Sequence, residues 1–195
     1  MGLLLTAHSA LSAPSAWIQQ WSHLVQQGTS VLDVACGSGR HLDWFAARGC
    51  QVTGVDIDIG TAQSQVPAAR LVQADIENAP WPLVDPGTGR PEQFGAVVVT
   101  NYLWRPLMAT LLDSIAPGGV LLYETFAAGN ETVGRPARPD FLLQAGELLR
   151  LGGDMHIVAY ENGFLAPPER FVQRVVATKI FTPGAHKGVP TRYAL

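Results

Sequence analysis

Short apolar runs of strand length alternate along the chain with segments in which apolar residues recur at helical spacing. The runs are almost continuously apolar, which is typical of strands that are buried on both faces of a sheet. They cover residues 31–35, 51–56, 70–74, 94–100, 120–126, 155–160 and 171–181. The alternation predicts an α/β protein with a doubly wound, mostly parallel sheet between two layers of helices.

The segments between these runs predict helices whose ends are marked by proline and glycine. The first helix begins near Ser15, presents Trp17 and Trp21 on one apolar face and ends before Gly28. Further helices are predicted at 42–46, in a weak pattern up to 66, at 107–115 and at 141–151. A turn is predicted at 117–119, and another at 161–170 joins the last two strands as an antiparallel hairpin at one edge.

Residues 1–195 are predicted to form one domain, because the pattern shows neither a repeat nor a linker. We divide it into an N-terminal helical cap at 1–28, a core at 29–181 and a tail at 182–195. Sheets of this kind bind ligands beyond the carboxyl ends of their strands. The residues that directly follow the strands are therefore the candidate functional residues.

Composition narrows the range of partners. The chain has 47% hydrophobic and 15% charged residues, and its formal net charge is −3. Lys179 and Lys187 are the only lysines of the sequence, so a broad basic face for nucleic acid is not expected. Cys36 and Cys50 show neither metal-ligand nor disulfide spacing, and no metal site is expected.

The sequence gives little support for a membrane association. No apolar run approaches the roughly 20 residues of a membrane span. Residues 1–6 match a lipidation pattern, and the alanines that follow weakly resemble a secretion signal, but the basic segment of such a signal is missing. We expect a cytoplasmic protein with no membrane partner.

The stretch SVLDVACGSGRHL at 30–42 joins a predicted strand to a predicted helix through a glycine-rich turn. A nicotinamide-dinucleotide fingerprint needs a third glycine, and Leu42 stands at its position. A phosphate-binding Walker loop would end in Gly-Lys-Ser/Thr, which does not occur here. The turn is instead preceded by Asp33, a carboxylate that is poorly placed beside a pyrophosphate and well placed to hold an ammonium group or to orient the turn.

Two further acids, Asp56 and Asp75, end the next two predicted strands. The carboxylate of Asp56 is placed to accept hydrogen bonds from two ribose hydroxyls, and that of Asp75 lies within reach of an adenine amino group. Gly37 and Gly39 let the backbone approach a ligand closely. An amine, a ribose and an adenine without a phosphate indicate S-adenosylmethionine as the cofactor.

Residues 28–181 resemble a class I S-adenosylmethionine-dependent methyltransferase. The first motif of that family has an acid and three alternating glycines, and it reads DVACGSG here, with Ala35 in place of the first glycine. VTGVDID and VQADIE resemble the second and third motifs, and FGAVVVTNYL and LLDSIAPGGVLLYETF resemble the fourth and sixth. CGSGRH and ARGCQVTGVDID are most similar to the tellurite-resistance methyltransferases. The resemblance implies a Rossmann-like seven-stranded sheet of order 3-2-1-4-5-7-6 with strand 7 antiparallel.

The strand ends and the resemblance together predict a set of cofactor-binding residues. They are Asp33, Ala35, Gly37, Gly39, Arg40, Asp56, Ile57, Asp75, Ile76, Thr100 and Asn101. Asp75 has a competing interpretation as a helix cap or a solvent-facing acid, and Cys36 is interpreted as a packing residue. Pro14, Ser15 and Trp17 are expected to cap the cofactor from the N-terminal side, with core packing as the alternative for Trp17.

No residue is assigned a catalytic role, because a sulfonium methyl group is already activated and the protein mainly supplies alignment and a dry site. The candidate substrate contacts are Tyr102, Arg105, Glu131, Arg135 and Arg138. Tyr102 and Trp104 either wall the cofactor or pack beneath the following helix. The loop at 127–141 is interpreted as a lid whose arginines meet an anionic group, with a solvated surface loop as the alternative.

The predicted function is methyl transfer to a small molecule, which the loop arginines indicate to be anionic. Methylation of RNA or protein is the alternative enzyme activity, and the net charge of −3 disfavours it. A cofactor-binding module without catalysis is the alternative outside the enzymes. The sequence identifies neither the acceptor nor the oligomeric state.

Overall fold

A seven-stranded sheet organises the computed structural model, which describes residues 11–153, 155–180 and 193. The strands are β1 (Ser30–Val34), β2 (Gln51–Asp56), β3 (Arg70–Gln73), β4 (Phe94–Thr100), β5 (Ile115–Phe126), β6 (Met155–Leu165) and β7 (Arg170–Lys179). Their order in the sheet is β3-β2-β1-β4-β5-β7-β6. The first five strands are parallel, and β7 runs antiparallel to both β5 and β6. The predicted fold, strand order and antiparallel strand are confirmed.

Short helices connect the strands and cover the sheet. They are α1 (Ala16–Trp21), α2 (Arg40–Ala46), α3 (Gly60–Gln65), α4 (Met108–Asp113) and α5 (Glu147–Leu151). Helix α1 begins where the sequence predicted, because Ser15 Oγ accepts a hydrogen bond from the Trp17 N–H at 3.2 Å. Within the described residues, no helix has the length and apolar character that a membrane crossing requires.

The core consists of two apolar clusters, one on each face of the sheet. Successive side chains of β4 alternate between them, so that Val97 and Val99 join one cluster while Ala96 and Val98 join the other. The second cluster also holds Trp17 of α1, which is 1% exposed. Burying a large side chain of this kind stabilises a fold by about 2–3 kcal/mol. Because both faces are covered, the carboxyl ends of the central strands are held in fixed positions.

Ile115 was predicted to end a helix, but it lies in β5, where it pairs with Phe94 and is fully buried. Helix α4 stops at Asp113, and the Phe94 N–H donates to the Ser114 carbonyl at 2.8 Å. The segment predicted as a turn at 117–119 is therefore an irregular part of β5. The prediction failed here because β5 follows α4 without a loop, so the spacing of apolar residues could not show where the helix ends and the strand begins.

Two further boundaries differ from the prediction. The helix predicted at 141–151 is confined to α5, because Leu143 is extended and its N–H donates to the Phe126 carbonyl at 3.0 Å. Strand β6 continues to Leu165 instead of ending at 160, which shortens the connection to β7 to residues 166–169. Most of the predicted C-terminal tail and residues 1–10 of the predicted cap lie outside the described residues.

Candidate cofactor-binding site

The glycine-rich turn after β1 is built from left-handed residues. Ala35 has φ 53°, Gly37 has φ 53° and Gly39 has φ 86°, directly before α2. A positive φ is uncommon for alanine and marks strain that clusters at functional sites. Asn101, directly after β4, is the other described non-glycine residue with a positive φ, at 54°. The strained positions thus follow two neighbouring strands at the same edge of the sheet.

Asp56 ties the end of β2 to this turn. Its Oδ2 accepts a hydrogen bond from the Gly37 N–H at 2.8 Å, and its Oδ1 accepts one from the Asp58 N–H at 3.0 Å. The carboxylate is half-buried beside the turn. It therefore sets the position of the glycine backbone and still has lone pairs that face the neighbouring cavity.

Asp33 is buried at the end of β1 and is 1% exposed. Its Oδ2 has no hydrogen-bond partner among the described residues, and the nearest cation candidate, His41 Nδ1, lies 3.8 Å away. Burial raises the pKa of Asp33 to about 8, with a lowering contribution from Arg40 and a raising one from Asp56. A buried carboxylate that lacks a partner calls for a cationic ligand group.

Three cavities adjoin one another at this edge of the sheet. The glycine-turn cavity, about 290 Å³, lies between residues 35–38, His41 and Thr100. The β3 cavity, about 330 Å³, lies between Asp56 and residues 74–78. The loop cavity, about 230 Å³, lies between residues 101–103 and 125–126 and is covered by Pro136 and Phe141. Tyr102 is part of the lining of all three cavities, which together are called the crevice.

The predicted cofactor-binding residues are largely brought together in this crevice. Ala35, Gly37, Arg40, Thr100 and Asn101 line the glycine-turn cavity, whereas Asp56, Ile57, Asp75 and Ile76 line the β3 cavity. Asp33 and Gly39 are not part of either lining. Asp33 is buried beside His41, which lines the glycine-turn cavity, and Gly39 packs against Ala62 of α3, where an added Cβ would lie 3.2 Å from the Ala62 Cβ. Ile57 is 64% exposed, which is unusual for an isoleucine and leaves an apolar surface beside Asp56.

Asp75 has a structural role as well as a place in the cavity wall. Its Oδ1 accepts hydrogen bonds from the N–H groups of Glu77 and Asn78, both at 3.1 Å, and Asn78 Nδ2 donates to Oδ2 at 3.0 Å. The Asn78 side chain, followed by these backbone donors, lowers the pKa of Asp75. These contacts support the interpretation of Asp75 as a local turn cap. Because Asp75 also lines the β3 cavity, its role in binding adenine stays a proposal.

Replacing Asp75 by Ala is expected to weaken binding of S-adenosylhomocysteine about 5- to 10-fold, because an acceptor is lost from the β3 cavity. Asp85 offers a matched control, since its Oδ1 likewise accepts from two backbone N–H groups, of Gly87 and Thr88, but lies outside the three cavities. Calorimetry of both variants with S-adenosylhomocysteine separates the loss of a turn cap from the loss of an adenine contact. Equal affinities in Asp75→Ala and Asp85→Ala would remove Asp75 from the adenine site.

The candidate substrate contacts do not converge on one point. Arg105 is held by Glu147, with Nε donating to Oε1 at 2.7 Å, and by the carbonyls of Asp140 and Leu142. The Arg138 guanidinium pairs with Asp140 at 3.0 Å, and Glu131 accepts from the Gly129 N–H at 2.8 Å. Arg105 therefore braces the loop against α5. Its role as a substrate contact stays a prediction.

Tyr102 and Trp104 divide between their two predicted roles. Tyr102 lines the crevice, and burial followed by the charge of Glu77 raises the pKa of its hydroxyl. Trp104 is half-buried and packs against the first apolar cluster. Cys36 is buried, and burial raises the pKa of its thiol to about 12, which fits a packing residue.

The sequence did not single out a buried polar chain that fastens the N-terminal segment. The Ser15 N–H donates to His41 Nε2 at 3.2 Å, and Ser15 Oγ donates to Glu124 Oε1 at 3.0 Å. Arg174 then donates to Glu124 Oε2 at 3.1 Å and stacks over the ring of Trp17. Trp17 thus packs in the core, Ser15 contacts the site through His41, and Ser12 is the residue of the N-terminal segment that lines the glycine-turn cavity. Glu124 near the end of β5 was the available signal, because it is a lone acid directly after four apolar or aromatic positions.

Hydrogen bonding also fixes the tautomer of His41. Since Nε2 accepts the Ser15 N–H, the ring proton lies on Nδ1, which faces Thr100 Oγ1 at 3.5 Å and Asp33 Oδ2 at 3.8 Å. Burial lowers the pKa of His41 to about 3, so the ring is neutral. His41 therefore supplies Asp33 with a nearby dipole but no positive charge. No cluster of metal-ligating side chains occurs among the residues the structure describes.

Part of the chain is similar to a known class of domain. Residues 31–119 match the family model of a methyltransferase domain. The ubiquinone biosynthesis O-methyltransferase of Stutzerimonas stutzeri (strain A1501) is 31% identical over 116 residues, which are 56% of this chain and 48% of that protein. The malonyl-[acyl-carrier protein] O-methyltransferase of Pseudescherichia vulneris is 32% identical over 127 residues, covering 64% and 49%.

Solved structures show the same fold at low sequence identity. TehB from Haemophilus influenzae has a TM-score of 0.69 and 18% identity, with 87% of this chain and 63% of TehB covered. A TehB-like S-adenosylmethionine-dependent methyltransferase from Corynebacterium glutamicum has a TM-score of 0.60 and 19% identity, with 84% and 86% covered.

Residues 31–119 therefore match a methyltransferase domain, and the chain has a TehB-like fold; both findings support S-adenosylmethionine as the cofactor, as the resemblance predicted. The chain spans about half the length of the curated relatives it matches.

Proposed function

We propose that this protein transfers the methyl group of S-adenosylmethionine to an oxygen atom of a small-molecule acceptor. The observation that carries the proposal is the unpartnered, fully buried Oδ2 of Asp33, which lies 3.8 Å from Nδ1 of His41, a residue that lines the glycine-turn cavity. An ammonium group is the part of S-adenosylmethionine that would satisfy it. The O-methyltransferases among the relatives support oxygen as the acceptor atom.

Each part of the crevice has a proposed task. Asp33 holds the ammonium group, Asp56 accepts hydrogen bonds from the ribose hydroxyls, and the turn at 35–39 lets the backbone approach the ligand. Asp75 and the backbone of Ile76 form the adenine end in the β3 cavity. Tyr102 separates this end from the loop cavity and helps to exclude water.

The chemistry asks little of the protein beyond alignment. When bound, S-adenosylmethionine would supply an activated methyl group: an acceptor oxygen would form the new C–O bond while the C–S bond breaks and its electron pair stays on sulfur, and a hydroxyl acceptor would release its proton to solvent. Thr100 and Asn101 at the end of β4 line the glycine-turn cavity, where they orient the methionine end of the ligand. Asn101 also lines the loop cavity, through which the acceptor is proposed to enter.

The acceptor is further proposed to carry a negative group that meets the loop arginines. Arg135 directly precedes Pro136, which covers the loop cavity, and its exposed guanidinium has no ion pair among the described residues. The malonyl-[acyl-carrier protein] O-methyltransferases act on an acceptor whose malonyl group contains a carboxylate, which agrees with this proposal. Glu131 and Arg138 belong to the same loop and form its outer surface.

Calorimetry with two ligands tests the cofactor end of the proposal. We expect S-adenosylhomocysteine to bind with a micromolar Kd and NADH not to bind, because the turn lacks the third glycine that a pyrophosphate site requires. The titration uses the full chain at pH 8, where Asp33 is partly ionised. Binding of NADH without binding of S-adenosylhomocysteine would contradict the proposed function.

A further inference from the structure

The loop cavity has a mainly apolar and aromatic lining, whereas the loop that covers it carries exposed arginines. We propose that it is the acceptor site and that it takes a flat, uncharged ring bearing a hydroxyl group, with any negative group of the acceptor left outside at the rim. This inference rests on the proposed methyl transfer and names the class of molecule that receives the methyl group. The lining, the charges and the position of the cavity each support it.

The walls of the loop cavity are mainly apolar and aromatic. Phe126 at the end of β5 and Phe141 in the loop are both half-buried, and Leu103 is 4% exposed beneath them. Tyr102 adds a third ring. Its volume is about 230 Å³, and an apolar protein cavity of about 150 Å³ is enough to hold benzene. The cavity therefore has room for one aromatic ring with one or two substituents, and ring–ring contacts to stabilise it.

The charges around the cavity disfavour an anion inside it. Among the described residues of its lining, Glu77 is the one formally charged side chain, and no arginine or lysine takes part. Arg105 is engaged by Glu147 and by two loop carbonyls, while Arg138 lies over the ring of Phe141 at 5.2 Å and pairs with Asp140. A carboxylate within the cavity would meet a like charge without a cationic partner. A neutral hydroxyl can instead donate a hydrogen bond to Glu77 or to Asn101 Oδ1.

The position of the cavity is suitable for transfer. Asn101 and Tyr102 line both the loop cavity and the glycine-turn cavity, so a ring in the former faces the methionine end of the latter. The strained backbone of Asn101, φ 54°, lies at this junction. Its N–H donates to the Glu124 carbonyl at 3.0 Å, which holds the junction to the end of β5. The rim is formed by the loop that carries Arg135 and Arg138, where a charged substituent would remain in contact with water.

Ligand-observed NMR on the full chain, with and without saturating S-adenosylhomocysteine, tests the inference. One series contains phenol, catechol and 3,4-dihydroxybenzoate, and the other contains malonate and succinate. We expect binding by members of the first series only, and we expect Phe141→Ala to weaken that binding about 10-fold while S-adenosylhomocysteine affinity changes less than twofold. Phe164→Ala is the matched control, because Phe164 is an exposed phenylalanine of β6 that does not line the crevice.

The outcomes separate the inference from the function on which it rests. Binding confined to malonate or succinate, or no binding in either series, would overturn the ring assignment even if S-adenosylhomocysteine binds. Ring binding that Phe141→Ala weakens and Phe164→Ala leaves unchanged supports the cavity, and it does so even if S-adenosylhomocysteine does not bind. That last failure would overturn the proposed methyl transfer alone. A loss in both phenylalanine variants would indicate a general effect on the fold and contradict the assignment.

Discussion

The Asp33→Asn variant is expected to be more stable than the unsubstituted protein in the absence of ligand and to lose at least 100-fold in affinity for S-adenosylhomocysteine. Asparagine has the shape of aspartate but carries no charge. It removes a carboxylate that is buried without a partner for its Oδ2, and it also removes the only buried anion proposed to hold the ammonium group.

The direction of the stability change follows from the pKa of Asp33. Burial raises it from 3.8 to about 8, so the folded chain retains a proton that the unfolded chain releases above about pH 4. The free energy of unfolding therefore falls as the pH rises from 4 to 8 and is level above that range. At pH 7 the substitution should stabilise the ligand-free fold by about 2 kcal/mol, since asparagine must also be desolvated, and raise Tm by about 4–8 °C.

Thermal unfolding between pH 5 and 9 and calorimetry in buffers of different ionisation enthalpy measure both effects. The unsubstituted protein should release a proton when S-adenosylhomocysteine binds at pH 7, because an ammonium partner favours the ionised form of Asp33. Asp43→Asn, an exposed acid on α2, is the control and should change neither quantity. A Tm that falls in Asp33→Asn with binding intact would show that Asp33 is a structural residue and not the ammonium site.

Substitution of Asp56 by Ala is expected to reduce affinity for S-adenosylhomocysteine by about 100-fold, or ~3 kcal/mol. The change removes the proposed acceptor of the ribose hydroxyls. It also frees the Gly37 N–H, which Asp56 Oδ2 holds at 2.8 Å, so the turn loses the contact that positions it. Asp56→Asn retains one acceptor oxygen, so its affinity for S-adenosylhomocysteine should lie between those of Asp56→Ala and the unsubstituted protein.

Asp58 provides the control for this second substitution. It is exposed, its Oδ1 accepts from the Gly60 N–H at 2.9 Å, and it does not line the β3 cavity. Isothermal titration of Asp58→Ala should therefore give the affinity of the unsubstituted protein. Similar affinities for Asp56→Ala and Asp58→Ala would take the ribose site away from Asp56.

The strand positions could be predicted because the sheet is covered on both sides. A strand such as β4 then has to be apolar at every position, and its run at 94–100 agrees with the structure at both ends. The acids Asp33 and Asp56 could be placed at one edge because parallel strands end together. Boundaries without a loop were less visible: Ile115 is apolar whether it closes a helix or opens a strand, so its spacing carried no information about the transition.

The acceptor side of the site was predictable only in outline. The length of the segment at 127–141 predicted a functional role for it, but which of its side chains turn inward depends on contacts with distant elements. Arg105 is drawn away by Glu147 of α5, and Phe141 comes to cover a cavity because Leu143 bonds to the end of β5. The chain Ser15–His41–Glu124 was likewise invisible, because its members are 26 and 109 residues apart in sequence.

The bracing of the loop by Arg105 separates two tasks that the crevice combines. The residues proposed to bind the cofactor are attached to strands whose side chains are packed on both faces. One wall of the loop cavity is instead a connection held by a few hydrogen bonds, among them those of the Arg105 guanidinium. The sequence of that connection can therefore change, and the preferred acceptor with it, while the residues proposed to bind the cofactor keep their geometry. Changes in the sequence of the loop at 127–141 are therefore expected to alter which acceptor binds, while Arg105 keeps the loop attached to α5.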